Sequence, residues 1–273
     1  MQVPLGEGGR LCVHASADVG VLFDVSGAFG GAPESAGFVA RSPLRIFDTR
    51  NAIGIATKAP LASESTVAVA VAGLPGVPSD VRAVTFNATA VDALGTGFVT
   101  LSPCGAPRPD TSNLNYDLGA TVARHAVVPA SSDGAVCVDA YGSSHVLLGL
   151  AGTFGAAGGA RYRAESPQRI LDTRAGSGAT GELLPYVTRE LWIEESGADA
   201  VVLNVTVTGT KEAGWLGAWP CDEAFPDVSN LNFEAGATVA NLATLKLGPS
   251  RKICFVSSSE TDLLVDRLGI YLP

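Results

Sequence analysis

The side chains with the most chemistry in this chain come twice. Asp48-Thr-Arg50 and Asp172-Thr-Arg174 each set a carboxylate two positions from a guanidinium. An arginine fork can grip a ligand carboxylate or the hydroxyls of a sugar through paired hydrogen bonds. The two groups can instead satisfy each other and tie a loop to the body of the fold, with Thr in a turn. The structural role is the one we expect. Acid–base catalysis would need a second carboxylate or a histidine close by, and none recurs with the motif. His14, His125 and His145 have no counterparts in the second copy, so a nucleophile–histidine pair has little support. No phosphate loop, Gly-x-Ser-x-Gly, His-Glu-x-x-His or dinucleotide fingerprint is present. The reading is of a chain without catalytic residues, cofactor or metal.

Aromatic faces can stack on sugar rings, which makes the tryptophans the next candidates. Trp215 and Trp219 lie four apart, on one face of a regular strand, and form a candidate glycan-binding pair. Core packing is expected to take one of the two. Asn87 and Asn204 stand in Asn-x-Thr sequons, but their neighbours alternate as in a core strand. Each is therefore read as a buried hydrogen-bonding residue and not a glycan acceptor. Asn113, Asn115, Asn230 and Asn232 are expected in Asn-Leu-Asn turns that need no ligand.

These residues repeat because the chain repeats. Asn87, Cys104 and Gly119 recur as Asn204, Cys221 and Gly236, all displaced by 117 residues, whereas Ser42–Arg50 recurs as Ser166–Arg174, displaced by 124. The difference is an indel expected in the turn Gly73–Asp80. A Gly-x-aromatic element closes each unit as Gly152-Thr-Phe154 and Gly269-Ile-Tyr271, and it occurs once more as Gly27-Ala-Phe29. The chain thus reads as a leading partial unit (1–30), unit 1 (31–155) and unit 2 (156–273). Small-residue linkers are expected at 30–37 and 155–160. Each full unit is long enough for its own core.

Thr66–Ala72, Val81–Thr89 and Ala200–Thr208 alternate and are rich in β-branched residues, and turn residues interrupt such runs every 8–12 positions. No sustained helical period appears. The expectation is all-β: tandem antiparallel β-sandwich units of eight to ten strands. In the partial unit, a closing β-hairpin from Cys12 to Phe29 is expected. It would need a cover, either unit 1 of the same chain, which we favour, or a strand edge on another protein.

Cys104–Cys137 and Cys221–Cys254 share one spacing of 33 residues, as one disulfide per unit would produce. Two pairs of buried free thiols are the alternative. Cys12 is left unpaired, because the first half of its unit is missing. Disulfides place the chain in an oxidising, extracellular setting. The net charge of −9 argues against nucleic acid or an anionic membrane as partner, since both need a basic face. No apolar run approaches a membrane span. No signal peptide is visible, which weighs little in a chain that opens mid-unit.

Arg169–Arg174, Ala200–Thr206, Ser229–Gly236, Thr238–Asn241 and the closing Gly-x-Tyr/Phe together resemble a repeat of about 120 residues found in secreted and cell-surface proteins of actinobacteria. The resemblance covers nearly the whole chain. It implies a non-catalytic secreted module, and the role we expect for such a module is binding of a glycan or cell-wall polymer. The alternative is a structural subunit of a filament or multi-subunit extracellular particle that associates through residues 1–30. Unit 1 departs from the pattern at Arg124, where unit 2 has Asn241, and at Gly149, where Asp24 and Asp266 stand elsewhere.

Overall fold

A computed structural model describes residues 2–30, 35–155 and 158–273. The two expected linkers, and both boundaries drawn through them, lie partly outside the described residues. Unit 1 contributes β1 (Gly37–Asp48), β2 (Ser65–Ala70), β3 (Val81–Val91), β4 (Gly97–Pro103), β5 (Leu114–Tyr116), β6 (Val122–Pro129), β7 (Ala135–Tyr141) and β8 (His145–Gly155). Unit 2 contributes β9 (Arg161–Asp172), β10 (Arg189–Trp192), β11 (Ala200–Thr208), β12 (Gly214–Pro220), β13 (Leu231–Phe233), β14 (Val239–Lys246), β15 (Lys252–Ser257) and β16 (Asp262–Leu272).

Each unit is two antiparallel four-stranded sheets, and the strand order is the same in both units. Sheet orders are β1-β8-β3-β6 and β2-β7-β4-β5 in unit 1, and β9-β16-β11-β14 and β10-β15-β12-β13 in unit 2. The all-β expectation holds. The period-2 pattern explains the cores: Val84, Phe86, Ala88 and Ala90 of β3 all point inward and are fully buried, as are Val136, Val138 and Ala140 of β7 across the sandwich. Val201, Leu203, Val205 and Val207 of β11 do the same in unit 2. Most of the indel falls in the longer β2–β3 connection, where the Arg41 guanidinium donates to the carbonyls of Pro75 and Gly76.

Strands β7 and β8 are consecutive in sequence but belong to opposite sheets, and each is central in its own: β7 lies between β2 and β4, β8 between β1 and β3. This corrects the hairpin expected at the N-terminus. The residues of the partial unit that match β7 and β8 would not pair with each other even in a whole unit. Within 2–30 there is one 3₁₀ turn, Glu7–Gly9, and no strand. Almost every residue there is exposed, including Leu22 at 95% and Val25 at 90%. Nor does unit 1 cover most of the segment; the segment touches the body through Phe29 on Phe154, Tyr162 and Tyr271 and through Gln2, which is buried beside Tyr271.

Candidate functional site

The Asp-Thr-Arg motif closes the end of the first strand of each unit. Asp48 is 2% exposed, and its carboxylate accepts from Arg50 Nε (3.1 Å), Arg50 Nη2 (2.9 Å) and the Arg50 backbone N–H (2.9 Å). Arg45 adds a bond from Nη1 at 3.3 Å. Thr49 Oγ1 accepts from the Val146 backbone N–H (3.1 Å) and meets His145 Nδ1 at 2.8 Å, which ties the corner to β8. Unit 2 repeats this: Arg174 grips Asp172 at 3.0 and 2.8 Å, Arg169 reaches it at 3.1 Å, and Thr173 Oγ1 accepts from the Leu263 N–H at 3.0 Å. Burial raises the Asp48 carboxyl, but the Arg50 side-chain and backbone hydrogen bonds outweigh it and leave the group below the usual carboxylate range. Asp172 is held well below that range, chiefly by the Arg174 side-chain hydrogen bonds, against its own desolvation. The carboxylates therefore spend their lone pairs inside the corner, the geometry of a loop tie.

The tryptophans do not form a shared platform. Trp219 is 6% exposed, packs with Cys254 and Val256, and donates its indole N–H to the Glu223 carbonyl at 3.1 Å. Trp215 is half-buried, stacked on Phe225 at 5.6 Å and met edge-on by Tyr186. Trp192 is exposed, with the Arg251 guanidinium over its ring. The disulfides Cys104–Cys137 and Cys221–Cys254 join the turns after β4 and β12 to β7 and β15. Glu190 lies against the second, but sulfurs bonded to each other offer no thiolate to a metal. Asn113 and Asn230 do not sit in Asx turns. Each side-chain Oδ1 accepts a backbone N–H from the neighbouring strand, Leu101 or Ala218, at 2.7 Å, because the Asn-Leu-Asn segments run on into the short strands β5 and β13.

A further polar network lies between the units. Asn241, on β14 and 6% exposed, donates to Asn87 Oδ1 (2.9 Å) and to the Asn230 carbonyl (2.6 Å), and it accepts from the His125 backbone N–H (2.9 Å). Asn87 in turn donates to the Ser229 carbonyl at 2.8 Å, and His125 Nε2 meets Thr244 Oγ1 at 3.0 Å. Asn87 is thus a hydrogen-bonding residue on the outer face of β3, a face that unit 2 covers. Its counterpart Asn204 makes only a 3.5 Å contact with Thr206. Burial pushes the His125 imidazole down to about 3.

Beside this network, Phe38 and Tyr271 pack at 4.1 Å, Phe38 and Phe154 at 4.9 Å, and Tyr162 and Tyr271 at 5.1 Å. Phe38 and Ala160 exchange backbone hydrogen bonds at 2.9 and 2.8 Å, so β1 meets the start of β9. Burial, with Glu165 nearby, raises the Tyr162 phenol to about 12. The sequence marked Phe154 and Tyr271 as unit closers and flagged Asn241, but nothing in it said that these residues meet. The signal was Asn241 alone, since Arg124 stands at its position in unit 1, whereas Phe154 and Tyr271 are equivalent closers.

The chain matches no protein-family model, and no curated protein matches it. Among the described residues no helix is long and apolar enough to cross a membrane.

Proposed function

We propose that this chain is a non-catalytic structural module of secreted or cell-surface proteins, whose two sandwich units are clamped together to build a larger assembly. One observation carries the reading: the buried polar side chains that sequence alone would assign to a site are spent on holding the protein to itself. The network around Asn241 fixes one unit on the other, and the cavity among its residues is small. The two disulfides support an oxidising setting. Small-angle scattering tests the clamp. A single inter-unit spacing in the parent, lost when Asn241 is replaced by a residue that cannot bond, is expected; a broad distribution of spacings in the parent would overturn the reading.

Glycan or cell-wall polymer binding remains as a second reading, supported by an open groove in unit 1. Phe98 and Tyr141 stack there at 4.5 Å, with Asn115, Asp117 and Arg124 at the rim. Aromatic faces beside convergent polar groups suit sugars. Retention on insoluble peptidoglycan, abolished by Phe98→Ala, is the expected outcome on this reading. No retention of the parent rejects it.

A further inference from the structure

The groove of unit 1 has a counterpart face in unit 2, and the side chains exchanged between the two carry charge. With the displacement of 117, Phe98, Arg108, Arg124 and Tyr141 correspond to Trp215, Phe225, Asn241 and Ser258. In unit 2 the face is closed. Phe225 packs against both Trp215 and Trp219, with ring centroids at 5.6 and 5.0 Å, and lies over Gly217, where a Cβ would meet the phenyl ring at 2.7 Å. In unit 1 the residue at the Gly217 position is Thr100, which is buried and donates its hydroxyl to the Thr111 carbonyl at 2.6 Å. Arg108 replaces the phenyl ring. Its guanidinium lies over the Tyr141 ring at 4.5 Å and donates to the Tyr141 hydroxyl. The groove between β4, β5 and β6 stays open and encloses about 590 Å³, within the usual range of small-ligand sites.

We propose that this groove takes an acidic saccharide, a polymer of hexuronic acids whose ring carboxylates are gripped by Arg108 and Arg124. The inference rests on the glycan reading of the groove and adds the charge of the sugar. Charge complementarity carries it. Elsewhere in this chain of net charge −9, exposed guanidinium groups such as those of Arg169 and Arg174 are spent on carboxylates. Arg108 and Arg124 are exposed too, but their hydrogen bonds go to the Tyr141 hydroxyl and the Ala123 carbonyl, and among the described residues neither has an ion pair. Asp117 is the carboxylate that lines the groove, and it accepts from Thr96 Oγ1 at 3.4 Å. Two cations against one anion leave a positive excess on an acidic protein. A planar guanidinium meets a carboxylate through two parallel hydrogen bonds, a match that a neutral sugar does not offer. Asn115 and Asp117 are left for sugar hydroxyls, and so is the Tyr141 O–H, whose oxygen serves Arg108 as acceptor. The stacked Phe98 and Tyr141 rings provide the apolar surface on which a pyranose face packs. Unit 2 has phenylalanine, asparagine and serine at the three polar positions, so the site belongs to unit 1 alone.

The test sets tetramers of 1,4-linked galacturonate and of 1,4-linked glucuronate against their methyl esters, which keep the rings and lose the charge. Titration calorimetry on the intact chain measures binding, and the Tyr141 ring resonances locate it. At least one acid tetramer is expected to bind and shift those resonances, with its ester weaker by roughly tenfold or more. Arg108→Gln and Arg124→Gln together should bring the acid down to the level of the ester and leave the ester unchanged. Both side chains are exposed, so the double variant should melt with the parent. Acid and ester bound equally, or acid binding that survives the double substitution, overturns the inference while the glycan reading of the groove stands. Failure of both acids to bind also overturns it. Retention on peptidoglycan that Phe98→Ala abolishes then shows that the glycan reading survives, and absence of retention rejects that reading as well.

Discussion

Replacing Asn241 by alanine tests the clamp between the units at its centre. The substitution removes two donated bonds and one accepted bond, leaving Asn87 Oδ1, the Asn230 carbonyl and the His125 N–H short of a partner. A buried group left unsatisfied costs roughly 1–3 kcal/mol. Three at the low end give about 3 kcal/mol, and a water entering the vacated volume recovers part of it, so about 2–3 kcal/mol is expected. The matched control is Asn204→Ala, the equivalent change in unit 2, where the amide makes one long contact and a change within about 0.5 kcal/mol is expected. Asn87→Ala removes part of the same network, so Asn87→Ala and Asn241→Ala together should cost less than their sum, by about 0.5 kcal/mol or more. Urea unfolding monitored by tryptophan emission, together with amide exchange at His125, reads all four variants. Equal stabilities for Asn241→Ala and Asn204→Ala, with His125 still protected in both, would show that the network contributes nothing and refute the reasoning.

Acid should loosen the same seam through His125. Its folded value of about 3 lies below the ordinary 6.5, so the unfolded chain binds more protons between those values. Stability is then fully present above about pH 6.5 and falls by up to about 1.4 kcal/mol per unit as pH drops toward 3; denaturation midpoints at pH 7 and pH 5 should differ in the parent and converge in His125→Leu. Asp48→Ala should cost roughly 2–4 kcal/mol, since it strips Arg45 and Arg50 of a shared buried carboxylate, moderated because 40% of the Arg50 side chain stays in solvent; a melting temperature equal to the parent's would mean that the corner ties nothing. Trp219→Ala should cost about 3–5 kcal/mol as a core truncation, whereas Trp192→Ala stays within about 0.5 kcal/mol; equal effects in calorimetry would contradict the packing described. Reducing either disulfide should cost roughly 3–4 kcal/mol by loop entropy, and Cys12 alone should react with a thiol reagent in the native chain.

The sandwich was legible because strand period and turn chemistry act locally: Val81–Thr89 alternates in the sequence, and its apolar set Val84, Phe86 and Ala88 fills the core, although Thr85 and Thr89 on the opposite face are buried as well. The disulfides were legible because repetition turned one ambiguous spacing into two matching ones. Strand partners were not legible. Adjacency in sequence suggested a Cys12–Phe29 hairpin, but which sheet a strand joins is set by long-range pairing, and β7 and β8 separate. The fate of Trp215 and Trp219 was half legible, since position on one strand face does not say that Phe225 will pack against both and leave only Trp215 partly open. The inter-unit seam was hidden because its polar residues Asn241, His125 and Thr244 differ from their counterparts Arg124, Leu242 and Val127, so the repeat that revealed the fold made them look like exceptions.

Those exceptions follow from which unit covers and which is covered. Asn241 lies between Asn87 and the Asn230 carbonyl, where an arginine would not fit; its counterpart Arg124 stands exposed on the edge strand β6, where an arginine is solvated. Gly149 pairs across the sheet with Asn87, so a side chain there would project onto the covered face. Space is not what forbids one, since a Cβ would meet only the Asn87 carbonyl oxygen at 3.8 Å. Charge decides it. In unit 2 the exposed Arg169 is paired by Asp266, the residue at this position, and by Asp172. In unit 1 burial depresses the equivalent Arg45, which is offset by Asp48 and, across the seam, by Asp227 of unit 2. With glycine at position 149, Arg45 keeps Asp48 beside it and Asp227 of the neighbouring unit as countercharges. Unit 1 is therefore adapted to being covered and unit 2 to covering it, and the two units are not interchangeable.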